Sequence, residues 1–151
     1  MSLKSDIDLL SRVPLFRGMN DEQLRLLAFG ADKRQLTRGH TLFTPGTRVS
    51  TAFVVASGAI GLATPTRQGN RRLEDAGPGS LLCELALISE HECSLTAVAV
   101  EDSEVLQVTR SLFSRLMEEF PQVAVVLDQR IRDNLNRMIG ELSRIETKFN
   151  S

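Results

Sequence analysis

The chain has 151 residues, of which 42% are hydrophobic and 25% charged, a composition typical of one globular domain that buries its core without disulfides or metals. The net charge of −1 excludes a general electrostatic attraction to nucleic acid or to an anionic membrane. The start of the chain has no apolar signal core, no run of about 18 apolar residues could cross a membrane, and two cysteines are too few for a secreted disulfide framework. We therefore expect a cytoplasmic protein.

Helical periodicity predicts two short helices within about residues 5–30. The segment "VPLFRGM" between them contains Pro14 and Gly18, which predict a break. Asn20 or Asp21 precedes the second group of apolar residues and is suited to cap that helix. The apolar residues that define the two groups are Ile7, Leu9, Leu10, Leu24, Leu26, Leu27 and Phe29.

From about residue 32 to residue 109, short apolar runs alternate with glycines at positions 39, 46, 58, 69, 77 and 79. The run "SLTAVAV" (94–100) alternates, which places its alanines on one face of a strand. "TRQGNRR" (66–72) is suited to a hairpin tip, and "CELAL" (83–87) to a short helical turn. Short strands with turn signals at this spacing predict an antiparallel sandwich or jelly roll.

The last part of the chain, about residues 111–149, is predicted to be helical again. Ser111 is suited to cap a short helix, and Pro121 follows its end. A long helix is expected from about residue 122 to 148, with apolar residues at heptad spacing. This seam consists of Ile131, Leu135, Met138, Leu142, Ile145 and Phe149. It either covers the β-region or pairs with a second copy, and its length beyond Leu135 favours a homodimer through the C-terminal helix.

Five fragments in this order resemble the cyclic-nucleotide-binding domain of the catabolite activator protein family and of cAMP-dependent kinase regulatory subunits. They are "PLFRGMNDEQLRLL", "GHTLFTPGTRVSTAFVVASGAIGL", "GPGSLLCELALI", "AVEDSEVLQVTRSLF" and "EEFP". The resemblance implies a single domain over residues 1–151. Its expected fold is mainly β: an antiparallel β-roll, or double-stranded β-helix of jelly-roll type, with N-terminal helices and a long C-terminal helix beside the ligand pocket.

The resemblance also implies a ligand site in the phosphate-binding cassette. The family pattern is Gly-Glu-x-Ala-Leu, a variable loop, and Arg-x-Ala-Thr-Val-x-Ala, where this chain has "CELAL" and "CSLTAVA". The expected ligand-binding residues are Leu82, Cys83, Glu84, Leu85, Ala86, Cys93, Ser94 and Thr96. Glu84 corresponds to the acceptor of the ribose 2′-hydroxyl, although a carboxylate there is also able to cap its own helical turn.

Two departures from the family pattern affect the charge of the expected site. Cys83 replaces the glycine, Cys93 replaces the arginine that pairs with the cyclic phosphate, and no Arg or Lys lies between them. A hydrogen bond to a charged group contributes roughly 1.5–3 kcal/mol, so losing a bidentate arginine weakens binding on the order of 100-fold or more. The ligand, cAMP or cGMP, is therefore expected to bind weakly.

Three function classes compete for this sequence. The first is a regulatory module with a weak or altered nucleotide site that signals through the C-terminal helix. The second is a degenerate module of the same fold, used for dimerisation or docking without a ligand. The third, an enzyme, is disfavoured because no catalytic constellation or metal-ligand cluster is visible. The chain also has no helix-turn-helix after the long helix, so we expect no DNA binding by this chain.

Overall fold

The computed structural model describes the backbone of residues 3–150 and the side chains of residues 3–90 and 92–137. The N-terminal helices are α1 (Leu3–Ser11) and α2 (Asp21–Gly30), with a first 3₁₀ helix (Pro14–Phe16) between them. Asn20 caps α2 in a capping box, because its side chain accepts from the Gln23 amide while the Gln23 side chain accepts from the Asn20 amide. The predicted cap and break are therefore confirmed.

Ten strands follow in the middle of the chain, and a second 3₁₀ helix (Glu84–Leu87) interrupts them. The strands are β1 (Asp32–Leu36), β2 (Thr41–Phe43), β3 (Arg48–Val49), β4 (Thr51–Ser57), β5 (Ile60–Thr66), β6 (Gly69–Ala76), β7 (Leu81–Leu82), β8 (His91–Glu92), β9 (Thr96–Ala99) and β10 (Ser103–Thr109). All pairings are antiparallel, and Thr66 pairs with Gly69 at the predicted hairpin tip.

The strands form two four-stranded sheets, ordered β1-β10-β4-β7 and β2-β9-β5-β6, and a two-stranded ribbon of β3 and β8. The central strands of the first sheet, β10 and β4, are buried on both faces, which gives the continuous buried run at the centre of β4, whereas most of β1 is exposed. Val54 packs toward the helices, whereas Phe53 and Val55 pack into the roll. The expected β-roll with flanking helices is confirmed.

Two helices close the chain, α3 (Arg110–Glu119) and α4 (Pro121–Asn150). The predicted cap of α3 is wrong: Thr109, the last residue of β10, accepts from the Leu112 amide, so the helix begins directly at the strand end and Ser111 lies inside it. Pro121 begins α4 because its ring presets a helical φ and the first turn needs no amide donor. Among the described residues, no helix combines the length and the hydropathy that a membrane crossing requires.

The first half of α4 packs onto its own domain. Leu127 and Ile131 are both 0% exposed within the cluster formed by the helices and the first sheet. Arg130 connects α4 to the N-terminal region, because its Nη1 donates hydrogen bonds to the carbonyls of Leu15 at 2.9 Å and Arg17 at 2.7 Å. The assignment of Ile131 to a dimer seam is therefore wrong, because its side chain is already buried within the chain. The side chains of Met138, Leu142, Ile145 and Phe149 lie outside the described residues.

Candidate functional site

A cavity of about 360 Å³ lies where the second 3₁₀ helix, the start of β9 and the helix α4 meet. Its walls are mostly apolar, and α4 contributes Ile131 and Leu135 to them. The lining residues are Phe43, Leu62, Glu74, Leu81, Leu82, Cys83, Glu84, Leu85, Cys93, Ser94, Leu95, Ile131 and Leu135. A pocket of this size with few polar groups is typical of a small-molecule site.

Six of the eight residues proposed from the sequence line this cavity: Leu82, Cys83, Glu84, Leu85, Cys93 and Ser94. Ala86 and Thr96 are not among its lining residues. Ala86 is 0% exposed, and its amide donates to the Cys83 carbonyl at 3.0 Å. Thr96 pairs with Ala63 in the ladder between β5 and β9. The contact of all eight residues with a ligand stays a prediction.

Cys83 begins the turn in a left-handed conformation, with φ 61° and ψ 42°. Among the described residues it is the one non-glycine residue with a positive φ. An L-residue in this region has its Cβ close to the following carbonyl, and glycine avoids this contact. The local geometry therefore explains why glycine suits this position, and why the cysteine is strained there.

The two thiols face each other across the end of the cavity, which we call the thiol end (Cys83 and Cys93). Their sulfur atoms are 4.0 Å apart. Burial raises the pKa of Cys83 to about 12, and the neighbouring Cys93 adds to this rise. Burial also raises the pKa of Cys93, which is 4% exposed. Both groups are therefore neutral thiols at neutral pH, and the thiol end carries no charge.

A second part of the cavity wall, which we call the carboxylate end, contains Glu84 with two partners from α4. Asn134 donates from Nδ2 to both carboxylate oxygens of Glu84, at 3.1 and 3.2 Å. Arg137 in turn donates from Nη2 to Oδ1 of Asn134 at 2.7 Å. These bonds connect the turn to a helix fifty residues later, and they leave the capping alternative for Glu84 without support.

Burial and these partners act in opposite directions on the pKa of Glu84. Burial raises the pKa of Glu84 above its ordinary value, while the Asn134 hydrogen bonds and the positive charge of Arg137 oppose the rise. The described residues that line the cavity include two carboxylates, Glu74 and Glu84, and no Lys or Arg. Arg137, just beyond the lining, is thus a cation that acts on the carboxylate end.

Sequence reasoning missed Asn134 and Arg137. They lie three positions apart on α4, and so on one face, but the sequence alone does not show which element that face covers. Two arginines of the β-region, Arg71 and Arg72, do not supply a cation to the cavity. Arg72 forms an ion pair with Asp75 at 2.5 Å on the exposed strand β6, next to the exposed Arg71, and neither arginine lines the cavity.

Comparison with known proteins decides the family. A sequence model described as "Cyclic nucleotide-binding domain" matches residues 33–120, which is more than half of the chain. The chain belongs to this family. The resemblance found in the sequence is thereby confirmed, and the fold is that of a regulatory sensor domain.

Individual relatives agree with this assignment. The chain is 34% identical over 125 residues to the cyclic AMP receptor protein of Thermus thermophilus, covering 80% of this chain and 58% of that relative. It therefore spans less than two thirds of that protein.

Two solved structures are similar over most of their length. A cyclic nucleotide-binding-like protein from Brucella abortus is 39% identical, with a TM-score of 0.69 over 75% of this chain and 97% of that one. The N-terminal domain of a Streptomyces coelicolor transcriptional regulator is 28% identical, with a TM-score of 0.79 over 87% and 94% of the two chains. Each of these two structures thus matches a unit of about the extent of this chain.

Proposed function

We propose that this chain is a non-enzymatic regulatory module that binds a cyclic nucleotide, cAMP or cGMP, weakly in the cavity and transmits binding through α4. The observation that carries the proposal is the contact of Asn134 with both oxygens of Glu84. It joins the predicted ribose-binding carboxylate to the C-terminal helix in a single hydrogen-bonded group.

The two ends of the cavity account for the expected weakness of binding. In this proposal Glu84 accepts a hydrogen bond from the ribose 2′-hydroxyl, and the cyclic phosphate lies at the thiol end. A phosphate monoanion there meets two neutral thiols, and it loses the water that would otherwise solvate it. Without a guanidinium at position 93, we expect a Kd of about 1 mM, which corresponds to about −4 kcal/mol.

Transmission to α4 follows from competition for Glu84. A carboxylate oxygen that accepts from the ribose hydroxyl is a poorer acceptor for Asn134, so ligand binding weakens the contact between the turn and α4. A ligand shifts a conformational equilibrium only through a difference in contacts between the two states, and this exchange of partners supplies one. The portion of α4 that follows Asn134 is the part whose position the exchange would alter.

Calorimetry and thermal unfolding with cAMP and cGMP test the proposal on the whole chain. At a ligand concentration about ten times the Kd, the free energy of unfolding rises by about 1.4 kcal/mol. The matched control ligand is 2′-deoxy-cAMP, which lacks the hydroxyl and should bind at least about tenfold more weakly. The matched control variant is Glu84→Ala, which removes the acceptor of the 2′-hydroxyl and should weaken cAMP binding and abolish the difference between cAMP and its deoxy analogue.

Absence of any ligand effect at about 10 mM nucleotide would favour the second class, a degenerate domain for dimerisation or docking. An equal affinity for cAMP and 2′-deoxy-cAMP would instead refute the role of Glu84 while leaving nucleotide binding intact.

We also propose that the chain forms a homodimer through α4. The apolar heptad positions continue after Leu135 for two further heptads, at Met138, Leu142, Ile145 and Phe149. A helix with this stripe is stabilised when a second helix covers it.

Sedimentation of a variant tests the dimer. Leu135 is unsuited to the test because it lines the cavity. The change Leu142→Asp with Ile145→Asp should give a folded monomer at tens of micromolar, whereas the unmodified chain sediments as a dimer at about that concentration. Ser143→Asp with Thr147→Asp is the matched control off the seam, and it should remain dimeric. A monomeric unmodified chain would overturn the proposal.

A further inference from the structure

The thiol end brings together two residues that lie far enough apart in the chain to cross-link a loop. Cys83 begins the second 3₁₀ helix, and Cys93 follows the ribbon strand β8. The backbone of Cys93 is held on both sides, because its amide donates to the Thr47 carbonyl and its carbonyl accepts from the Gly46 amide, each at 2.8 Å. The sulfur atoms, 4.0 Å apart, are in direct contact.

Access to the two thiols is unequal. Cys83 is half-buried and lines the cavity, so a small molecule that enters the cavity reaches its sulfur. Cys93 also lines the cavity, but it is only 4% exposed, and its sulfur is in contact with that of Cys83. The difference in exposure makes Cys83 the attacking thiol of the pair, and the sulfur contact makes Cys93 its resolving thiol.

We propose that Cys83 and Cys93 are a modification site, where a peroxide oxidises the pair to an intramolecular disulfide that thiols reverse. Because Cys83 is a neutral thiol at neutral pH, it first loses its proton. The small fraction present as thiolate attacks one oxygen of hydrogen peroxide, the O–O bond breaks, and the leaving hydroxide takes up the proton that the thiol released, which yields a sulfenic acid and water. The Cys93 sulfur then attacks the Cys83 sulfur, the S–O bond breaks, and the hydroxyl leaves as a second water with the Cys93 proton. Two thiols and one peroxide thus give one disulfide and two waters.

A metal ion is a less suitable occupant of the pair. Structural zinc needs four ligands, and two thiols supply half of them. In the part of the chain that the structure describes, no group of three or more His, Cys, Asp and Glu side chains is close enough to hold a metal ion. Formation of a disulfide, by contrast, needs only the two sulfurs and leaves an uncharged bond within a mostly apolar wall.

The disulfide would also change the cavity. The sulfur–sulfur distance must fall from 4.0 Å to about 2.05 Å. Because both residues line the cavity, we expect this approach to narrow the thiol end. This consequence rests on the proposed function: if the phosphate binds at the thiol end, the oxidised chain excludes it.

Peroxide treatment of the whole folded chain tests the cross-link. Intact mass after denaturation and maleimide labelling counts the free thiols. We expect both thiols to be lost together, with the mass of the chain reduced by two hydrogens, and both to return with dithiothreitol. In Cys93→Ser, Cys83 has no resolving partner, so it should accumulate as a sulfenic acid that dimedone traps. In Cys83→Ser, the buried Cys93 should remain a free thiol.

Other outcomes overturn the cross-link. The cross-link is refuted if both thiols remain free. It is also refuted if the cysteines oxidise to sulfinic acid without a disulfide, or if the disulfide forms between two chains. Dimedone labels a cysteine sulfenic acid. If it labels Cys93 in the Cys83→Ser variant as fast as it labels Cys83 in the Cys93→Ser variant, the assigned order of attack is overturned.

Nucleotide binding by the reduced and oxidised forms separates the cross-link from the proposed function. We expect the reduced chain to bind cAMP and the oxidised chain to bind at least about tenfold more weakly. If the disulfide forms but the reduced chain binds no nucleotide, the proposed function fails and the modification site stands. If the reduced chain binds and oxidation leaves the affinity unchanged, the site stands and its effect on the cavity is refuted.

Discussion

The carboxylate end and the thiol end of the cavity differ in how each treats a buried polar group. At the carboxylate end, partners from α4 offset part of the desolvation of Glu84, because Asn134 donates to it directly and Arg137 lies behind Asn134. At the thiol end, the sulfurs of Cys83 and Cys93 contact each other within an apolar cluster, and burial raises the pKa of Cys83 to about 12. The carboxylate end thus receives its hydrogen-bond donors from a helix far along the chain, whereas the thiol end consists of two neutral thiols.

This difference shows which part of the cavity has partners for a charged group. A half-buried carboxylate is tolerated because hydrogen bonds and a nearby cation offset its desolvation. A phosphate at the thiol end has no equivalent partner among the described lining residues. The cavity is therefore suited to the neutral and hydroxyl-bearing parts of a nucleotide better than to its anionic part.

The largest expected effect comes from giving the thiol end a cation. The double change Cys93→Arg with Cys83→Gly supplies a guanidinium and relieves the left-handed turn, so cAMP affinity should rise on the order of 100-fold. Calorimetry against the unmodified chain measures the gain. Cys93→Ser with Cys83→Gly is the uncharged control, and it should bind no more tightly than the unmodified chain. An equal gain in the control would show that turn strain, rather than charge, limits binding.

The next largest effect concerns the coupling between Glu84 and Asn134 at the carboxylate end. A double-mutant cycle of Glu84→Ala and Asn134→Ala should give a coupling free energy of about 1–2 kcal/mol, because the hydrogen bonds involve an ionised group that is partly removed from water. Urea unfolding of the four proteins measures it. Asn136→Ala replaces an exposed amide of the same helix and should show no coupling with Glu84→Ala. Coupling of equal size at Asn136 would mean that the effect belongs to the helix as a whole.

A smaller effect concerns the backbone of the thiol end. Cys83→Gly should be more stable than Cys83→Ala by about 0.5–1 kcal/mol, because both changes remove the thiol but only alanine keeps a Cβ at a positive φ. Thermal unfolding compares the two variants. At Ser94, which has no positive φ, the order should reverse, with Ser94→Ala more stable than Ser94→Gly. The same order at both positions would contradict the account of strain at Cys83.

The smallest effect is the pH dependence of stability at the carboxylate end. The folded pKa of Glu84 is raised above that of the unfolded chain, so the folded state binds the proton more tightly. The stability of the unmodified chain relative to Glu84→Gln should therefore be greatest below about pH 4.3, the ordinary glutamate value, and should fall as the pH rises through the raised pKa. Urea unfolding across this range measures the difference. A rise in relative stability with pH would show that Asn134 and Arg137 outweigh burial.

Much of the local structure was predictable because neighbouring residues decide it. The capping box of Asn20 and Gln23 sets the start of α2, and the alternation of "TAVA" places Ala97 and Ala99 in the core of the roll. The short turn at "ELAL" follows the same rule. The cap of α3 was misassigned because Ser111 and Thr109 are both suited to the role, and only the end of β10 selects Thr109.

For the site, the sequence by itself determined the residue types and the tertiary structure decided their partners. It placed Glu84 and the two cysteines in the cassette, and six of its eight candidates line one cavity. Heptad spacing is the same for a helix that covers its own domain and for one that pairs with a copy, so only packing shows that Ile131 is buried within the chain. Likewise, Asn134 reaches Glu84 only because α4 crosses the turn, and contacts between residues so far apart in sequence leave no local pattern to read.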